Sequence, residues 1–395
     1  PDKGDKIRAF HLLEYLGRSF DIHLGCLADS RADLTYLPAL QGRTASLACF
    51  PLNRRAARLR SLASLPRNQP LSRGYFYNAG LARWVGHTLA NRPIAQLFVF
   101  SSSMAPYVTG VPDVPRILDM VDVDSEKFSA YAAQTHGPMR LLWAREARTL
   151  LRLERAAARL FDHTLFVSPS EEARFLERAP ECAGRTGWVR NGVDLTYFSP
   201  HPVFPSPFSD GVPAIVFTGT MDYKPNIAAV TWFADAVMPL LAGREPPPLF
   251  SIVGSDPAPA VARLARRPNI LVTGRVNDTR PFLAHASLVV APLLIGRGIQ
   301  NKVLEAMAMA RPIIASPAAL EGICATPGRE VLAADDPPEV ARLVGDILDG
   351  RHPHLGAAAR QAAVRRHDWA AALARLDTFL VPSKPAAAGA VGASP

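Results

Sequence analysis

Short apolar runs alternate along this chain with longer segments in which apolar residues recur every three or four positions. Runs of about four to eight apolar residues are typical of buried strands, and the longer periodic segments predict amphipathic helices. We predict strands at 21–27, 96–100, 116–120, 163–167, 186–189, 214–218, 249–253, 270–273, 288–291 and 312–315. We predict helices at 8–16, 141–160, 170–178, 227–241, 261–266, 279–285, 301–310, 338–348 and 355–367. Strands separated by helices favour an α/β chain with parallel, doubly wound sheets.

A proline-rich segment, FSPHPVFPSPFSDGVPA, interrupts this alternation at 198–214. Its five prolines predict a stiff, extended linker. We therefore expect one doubly wound domain at 1–200, the linker at 201–213 and a second such domain at 214–353, with a ligand cleft between the two. Residues 354–380 are expected to form a helical segment that crosses back to the first domain. The low-complexity tail at 381–395 is expected to be disordered.

The chain opens on PDKGDKIRAFHLL, which predicts a loop followed by a helix. In a doubly wound domain this pair normally follows the first, central strand. The pattern therefore indicates that the first strand of the N-terminal domain is missing from this sequence.

Composition places the chain among globular proteins with a large core: 48% of its 395 residues are hydrophobic and 20% are charged. No apolar run approaches the about 20 residues that span a bilayer. The four cysteines are scattered and form no C-x-x-C pair, which fits a reducing cytoplasm better than a disulfide framework or a zinc site. We therefore predict a cytoplasmic protein without a metal site.

The net charge of +9 is concentrated in the first domain, where no acidic residue occurs between Asp33 and Asp113. Within that interval, LNRRAARLRSLASL alternates leucine and arginine at helical spacing. Such a segment can dock on anionic lipid or on a phosphate-bearing acceptor, or it can be a solvated helix face. The pattern leaves these possibilities open, and peripheral contact with an anionic membrane is one of them. Nucleic acid is not expected, because the nearby aromatic residues fit a core better than a stacking platform.

Glycines follow several strands of the second half and are candidates for ligand contacts. Gly219 precedes a helix for which Asn226 is a plausible N-cap, and free amides at such a helix start attract anions. Gly254 ends the next strand, and the loop from Gly274 to Asp278 could pack on a nucleobase. We predict that the donor-binding residues here are Gly219, Lys224, Asn226, Gly254, Arg275 and Val276. Asp278 is expected to cap the helix that follows.

The segment LLIGRGIQNKVLEAMAMARPIIAS carries a second group of candidates. Gly296 and Gly298 allow close approach of the backbone to a ligand. Lys302 stands in the first turn of a helix, where the helix dipole disfavours a cation, and a bound phosphate would explain it. Arg297 could grip the same diphosphate, and Glu305 could accept hydrogen bonds from a ribose. Glu305 could instead simply compensate the dipole. The predicted donor contacts from this segment are Gly298, Ile299, Gln300, Asn301, Lys302 and Glu305.

Five blocks in this order resemble the group 1, family 4 glycosyltransferases: NGVDLTYFSP, FTGTMDYKPN, IVGS, VTGRVND and KVLEAMAMARPIIAS. The resemblance implies a GT-B fold, in which two Rossmann-like domains face a central cleft. It implies transfer of a sugar from a UDP or GDP sugar, with retention of configuration and no required metal. PDKGDKIRAFHLLEYL, LDMVDVDSEKF and GRGIQNKVLEAMAM resemble, more narrowly, the sugar transferases of PEP-CTERM/EpsH-type exopolysaccharide systems. A saccharide or lipid-linked acceptor at the inner face of the membrane is therefore expected.

The chain departs from the family pattern at two places. Arg297 stands where the family's paired-glutamate motif has its first glutamate, while Glu305 matches the second. The family's phosphate-binding arginine and lysine are absent after Gly219. We therefore expect Arg297 and Lys302 to have taken over the catalytic work of stabilising the departing diphosphate.

In the first half, DMVDVDSEKF follows a predicted strand. Asp122 and Asp124 would point the same way if that strand continued, and Asp122 could then orient an acceptor hydroxyl as a catalytic carboxylate. Alternatively, Asp124 or Ser125 caps the next helix. The predicted acceptor or cleft residues are Gly4, Asp5, Lys6, Arg8 and Asp124.

Two rival functions remain open from the sequence. A GT-B nucleotide-sugar epimerase would need acid and base side chains that cannot be placed convincingly. A non-catalytic GT-B protein that binds nucleotide, sugar or membrane is favoured by the substitution at Arg297 and by the missing strand.

Overall fold

The computed structural model describes residues 4–30, 32–111, 114–201, 203–294 and 298–381, which divide into two compact units. Within these residues, unit 1 comprises the chain up to Phe166, Glu172–Trp188 and the chain from Ala374 onward. Unit 2 comprises Val167–Glu171 and Val189–Leu373. The division therefore falls at Trp188, before the proline-rich segment where the sequence suggested it.

Unit 1 contains six described strands in two parallel sheets. In chain order they are β1 (His23–Ala28), β2 (Ser46–Pro51), β3 (Leu97–Phe100), β4 (Arg116–Val121), β5 (His163–Phe166) and β6 (Thr186–Trp188). Strand β1 pairs with β2, and the other four form a sheet in the order β3-β4-β5-β6. All these pairs are parallel, as alternating strands and helices predicted.

The α-helices of unit 1 lie between these strands. They are α1 (Gly4–Leu16), α2 (Leu37–Gln41), α3 (Arg54–Leu62), α4 (Leu71–Tyr75), α5 (Ala79–Asn91), α6 (Asp124–Gln134), α7 (Pro138–Leu160) and α8 (Pro169–Arg178), whose first residues belong to unit 2. Helices α3 and α5 begin at asparagines, Asn53 and Asn78, whose side chains accept two backbone N–H groups each. Such caps satisfy amides that a helix start leaves without partners.

Unit 2 is built on one six-stranded sheet. Its strands are β7 (Ala214–Thr218), β8 (Leu249–Val253), β9 (Ile270–Gly274), β10 (Leu288–Ala291), β11 (Ile313–Ala315) and β12 (Leu332–Ala333). The spatial order is β12-β11-β10-β7-β8-β9, and every pair is parallel. The order reverses between β7 and β10, which confirms a doubly wound sheet with its switch point there.

The α-helices of unit 2 connect these strands and close the unit. They are α9 (Lys224–Trp232), α10 (Pro259–Leu264), α11 (Arg280–Ala284), α12 (Asn301–Ala308), α13 (Pro317–Leu320), α14 (Pro337–Leu348), α15 (Leu355–Arg366) and α16 (Trp369–Leu373). The strands β7, β8 and β10 have the bounds that their apolar runs predicted. They are buried almost completely, so the run and the strand coincide.

The last described residues pack on unit 1. The Arg375 guanidinium lies 3.7 Å from the centre of the Trp188 ring. The Phe379 ring fills the space beside Gly187, where an added Cβ would come within 2.5 Å of it. Helix α15 belongs to unit 2, so only the end of the 354–380 segment joins unit 1. The residues from 382 onward lie outside the described part of the chain.

A search of the described helices for one long and apolar enough to cross a bilayer found no candidate.

Candidate functional site

Two glycines bring the carboxyl ends of β7 and β8 into contact. A Cβ added to Gly254 would stand 1.7 Å from the carbonyl oxygen of Gly219, a distance no real side chain can adopt. The two residues have φ values of 153° and 155°, and Gly219 N donates to the carbonyl of Val253 at 3.1 Å. Only glycine fits at Gly254, so the sequence leaves bare backbone at this edge of the sheet.

Lys302 reaches this edge from across the switch point. It lies in the first turn of α12, which follows β10, and its side chain ends beside β7. The Nζ donates to Asn226 Oδ1 at 2.6 Å and lies 4.1 Å from the centre of the Phe217 ring. Lys302 is only 8% exposed. The geometry thus places a buried cation where open α/β sheets bind their ligands.

Asn226 has a different role from the N-cap that the sequence suggested. Helix α9 begins at Lys224 after Tyr223, so Asn226 is its third residue and faces inward. Its Nδ2 donates to the carbonyl of Thr220 at 2.8 Å while its Oδ1 accepts from Lys302. Asn226 therefore holds both the turn after β7 and the ammonium group beside it.

Burial shifts the titration of both charged residues of α12. It lowers the pKa of Lys302 to about 7, and the nearby carboxylate of Glu305 opposes that shift. It likewise raises the pKa of Glu305 to about 7, against the effect of the Lys302 charge. An anion placed beside Lys302 would favour its charged form, since an opposite charge raises the pKa of an amine. Lys302 is therefore poorly hydrated in the free protein, and a bound anion would stabilise its charged form.

Tyr197 contacts the loop that follows β9 and is affected by the charge of Glu305. Burial and the charge of Asp278 raise the pKa of Tyr197, and the charge of Glu305 contributes to the same shift. Tyr197 Oη is 3.5 Å from Asp278 Oδ1, and the Arg280 guanidinium lies 3.8 Å from the Tyr197 ring centre. Asp278 Oδ1 also accepts from Arg280 N at 2.9 Å, but Thr279 occupies the N-cap of α11, so Asp278 contacts the helix start from one position before the cap. Tyr197 thus contacts the predicted nucleobase loop and is affected by the charge of Glu305.

Other predicted donor residues line the same edge. Gly298 has a φ of 63°, Ile299 is buried, and Gln300 precedes the first residue of α12. The Asn301 Oδ1 atom is buried and has no hydrogen-bond partner among the described residues. A buried acceptor of this kind normally finds a donor, so Asn301 Oδ1 is available to accept a hydrogen bond from a ligand.

Three predicted residues have less specific surroundings. Lys224 is exposed at the start of α9, and Val276 is half-buried in the loop after β9. Arg275 is exposed and lies 3.5 Å from Asp256. Arg297 and Gly296 lie outside the described residues, so the expected role of Arg297 stays a prediction.

The aspartates after β4 are arranged differently from the expectation of an extended strand. Strand β4 ends at Val121, whose φ of 69° turns the chain out of the extended conformation. Asp122 and Asp124 therefore do not alternate along one strand. Asp124 is the first residue of α6 and pairs with Lys127 at 3.2 Å. Asp122 is half-buried in the turn between them.

Neither Asp124 nor Ser125 caps α6 in the predicted way, since Val123 occupies the N-cap. The cap comes instead from Glu154 on α7, which accepts from Ser125 N at 3.0 Å and from Ser125 Oγ at 2.5 Å. Burial raises the pKa of Glu154 to about 8. The sequence offered no signal for this contact because the two residues lie far apart in the chain.

The predicted acceptor residues of α1 also differ in accessibility. Arg8 is 1% exposed and forms two bonds, of 2.8 and 3.0 Å, with the buried carboxylate of Asp119. It ties α1 to β4 and is not open to an acceptor, contrary to the sequence-based expectation. Lys6 pairs with Asp33 at 2.6 Å and is half-buried. Gly4 and Asp5 begin α1.

Comparison with solved structures identifies the class of fold. HepE from Anabaena has been solved with UDP, with UDP and glucose, and with UDP-glucose. The structure with UDP and glucose is 15% identical to this chain, with 95% of each chain covered and a TM-score of 0.66. Sucrose-phosphate synthase from Thermosynechococcus elongatus is 19% identical, covering 75% of this chain and 76% of that one (TM-score 0.59). A trehalose-6-phosphate synthase studied for glycosyltransfer with retention is 11% identical, covering 90% and 99% (TM-score 0.61). The fold is therefore GT-B.

The family match is narrower and lies over the site. Residues 212–350 match the family of group 1 glycosyl transferases. That segment contains all six strands of the sheet in unit 2 and the residues around Lys302. A comparison with curated proteins returned no match.

Proposed function

We propose that the chain transfers a sugar from a UDP sugar to a saccharide or lipid-linked acceptor. The observation that carries this proposal is the buried Lys302 ammonium at the switch point of the sheet in unit 2. A diphosphate beside it would pair with the Lys302 ammonium and accept hydrogen bonds from the amides at the start of α12. Glycines at the ends of β7 and β8 leave room for that group.

The other donor contacts follow from this placement. Glu305 would accept hydrogen bonds from the ribose hydroxyls, and the loop containing Arg275 and Val276 would hold the base. The buried Asn301 Oδ1 would accept from a donor hydroxyl. UDP is favoured over GDP because HepE, which shares the fold, is described with UDP and UDP-glucose.

Retention and metal independence are parts of the same proposal. Retention is supported by the structural likeness to the trehalose-6-phosphate synthase. Lys302 and the amides of α12, together with Arg297, would stabilise the departing diphosphate in place of a divalent cation. Asp122 would orient the acceptor hydroxyl in unit 1.

The acceptor is assigned from the narrower sequence resemblance to PEP-CTERM/EpsH-type exopolysaccharide systems. We place the reaction at the cytoplasmic face of the membrane, where lipid-linked saccharides are assembled. The basic composition of unit 1 supports an acceptor that carries phosphate.

The test begins with thermal shift against a panel of UDP, GDP and ADP sugars, since a ligand that binds the folded state raises its melting temperature. The best donor is then incubated with polyprenyl-diphosphate-linked saccharides, with and without EDTA, and the product's anomeric configuration is read by NMR. We expect a UDP sugar to bind and to be transferred with retention in the presence of EDTA. Binding without transfer or donor hydrolysis would contradict the catalytic proposal, and inversion or EDTA inhibition would contradict its mechanism.

A further inference from the structure

Helix α3 turns its leucines outward. Leu59 is 70% exposed and Leu62 is 56% exposed, whereas Ala57 on the opposite face is fully buried. In an ordinary surface helix the large apolar residues face the core and the small or polar ones face solvent. Because Leu59 and Leu62 are three positions apart, they form one apolar stripe on the outer face. The core of unit 1 does not explain this stripe.

The start of α7 also exposes large apolar side chains. Leu141 is 73% exposed and Met139 is 44% exposed. The Arg145 guanidinium, one helical turn after Leu141, donates to the carbonyls of Ser64, Leu65 and Gln69 at 3.1 to 3.3 Å. These bonds hold the first half of α7 against the segment that follows α3. The exposed leucines of the two helices therefore belong to one region of unit 1.

The charged residues around these leucines are cationic. Helix α3 and the segment after it present exposed arginines at 54, 55, 58, 67 and 73, and α7 presents them at 140, 148 and 152. The glutamate within that stretch of α7, Glu146, is buried and accepts from Leu71 N and Ser72 N at the start of α4. No acidic residue occurs in the sequence between Asp33 and Asp113. We call these exposed leucines, Met139 and arginines the basic leucine surface.

We propose that the basic leucine surface docks unit 1 on an anionic phospholipid bilayer. Leu59, Leu62 and Leu141 would enter the boundary between headgroups and acyl chains, while the arginines bind lipid phosphates. Charge complementarity selects an anionic surface, and the exposed leucines select a bilayer over a nucleic acid, which would leave them without an apolar partner. Binding to the bilayer does not depend on sugar transfer. Its purpose, to bring the chain to a lipid-linked acceptor, rests on the proposed function.

The test is sedimentation of the full chain with vesicles of phosphatidylcholine alone or with about 30% phosphatidylglycerol. We expect binding to the anionic vesicles at least tenfold tighter than to the neutral ones, and weaker binding in higher salt. Replacing the apolar stripe (L59S, L62S and L141S together) and replacing the charges (R54Q, R55Q and R58Q together) should each reduce binding at least tenfold. L240S in unit 2, which alters an equally exposed leucine, is the matched control and should bind like wild type.

UDP-sugar binding is measured on every variant to show that it remains folded and to separate this proposal from the proposed function. The docking proposal fails if wild type does not sediment with anionic vesicles, or if both triple variants bind as wild type does. It also fails if the chain binds heparin or DNA but not vesicles, because charge alone would then account for the surface. If the wild-type chain binds anionic vesicles but no UDP sugar, the proposed function is wrong and the docking proposal is unaffected.

Discussion

Helices α3 and α12 share a local conflict and resolve it in different ways. Each carries cations in its first turn, where the helix dipole is unfavourable to them: Arg54 and Arg55 in α3, and Lys302 in α12. In α3 the arginines are exposed and the side chain of Asn53 caps the first amides. In α12 the lysine is buried, and the side chain of the N-cap residue Gln300 forms no capping bond.

The two helices show that a cation in the first turn of a helix can have different causes. A buried cation beside glycine turns at the edge of a sheet indicates an anion held inside a site. Exposed ones beside outward-facing leucines indicate a large anionic surface. Four experiments test this distinction between the two helices.

The largest effect is expected from Lys302→Met. It removes the cation at the switch point while keeping most of the side-chain volume, and transfer should fall about 100- to 1000-fold. Steady-state assays with the identified donor measure it, and Arg263→Met on the exposed face of α10 is the control. Loss of less than about fivefold would show that Lys302 does not act on the diphosphate.

The second experiment compares a leucine from each helix. Leu304 is fully buried in α12, so Leu304→Ala should lower the free energy of unfolding by about 2–5 kcal/mol. Leu59→Ala should change it by less than about 0.5 kcal/mol, because Leu59 is already in water. Denaturant titration of both variants gives the comparison. Equal losses would mean that Leu59 packs in the folded protein and is not available for docking.

The third experiment uses pH, since the free Lys302 has a pKa of about 7. At pH 8 most of it is neutral, and a bound diphosphate would raise its pKa, so binding should take up a fraction of one proton. Affinity should fall as pH rises through 7 toward the higher pKa of the complex, by at most about tenfold per pH unit. Glu305 also has a pKa of about 7, so the proton uptake is measured at pH 8, where Glu305 is already mostly ionised.

Calorimetry of UDP binding in buffers with different ionisation enthalpies measures the proton uptake. Lys302→Arg is the control, because a guanidinium stays charged throughout this range and should take up no proton. The same uptake in the arginine variant would assign it to another group.

The smallest effect concerns the stability of α3. The double variant R54Q and R55Q removes two cations from its first turn and should raise the free energy of unfolding by about 0.3–1 kcal/mol at low salt. Thermal melts at low and high salt measure the gain, which should shrink as salt screens it. A destabilised double variant would indicate that these arginines make structural contacts.

The sequence predicted most of unit 2 but less of unit 1. Strands β7, β8 and β10 are runs of buried apolar residues and were predicted with their observed bounds. Strand β2 was missed because its sequence, SLACFP, is a short mixture of polar and apolar residues, none of which is fully buried. Helix α5 was missed although Leu81, Trp84, Val85 and Leu89 recur at helical spacing and Asn78 marks its start.

The candidate site was predicted in its residues but not in their contacts. The dipole conflict singled out Lys302, and glycines after strands singled out Gly219 and Gly254. Asn226 was assigned as a helix cap because its actual partner, Lys302, lies 76 residues away. Arg8 was assigned to an open site because Asp119 lies 111 residues away.

The α/β alternation, the glycosyltransferase resemblance and the set of charged candidates follow from the sequence alone, because they depend on local periodicity and on residue identity. Only the tertiary structure decided which cations are buried, which leucines face solvent and which polar groups meet. Those outcomes depend on packing between segments that are distant in the chain, and local patterns carry no record of it. In the sequence, the arginines of α3 and the lysine of α12 are all cations in a first helical turn. Their burial in the folded protein distinguishes their proposed roles.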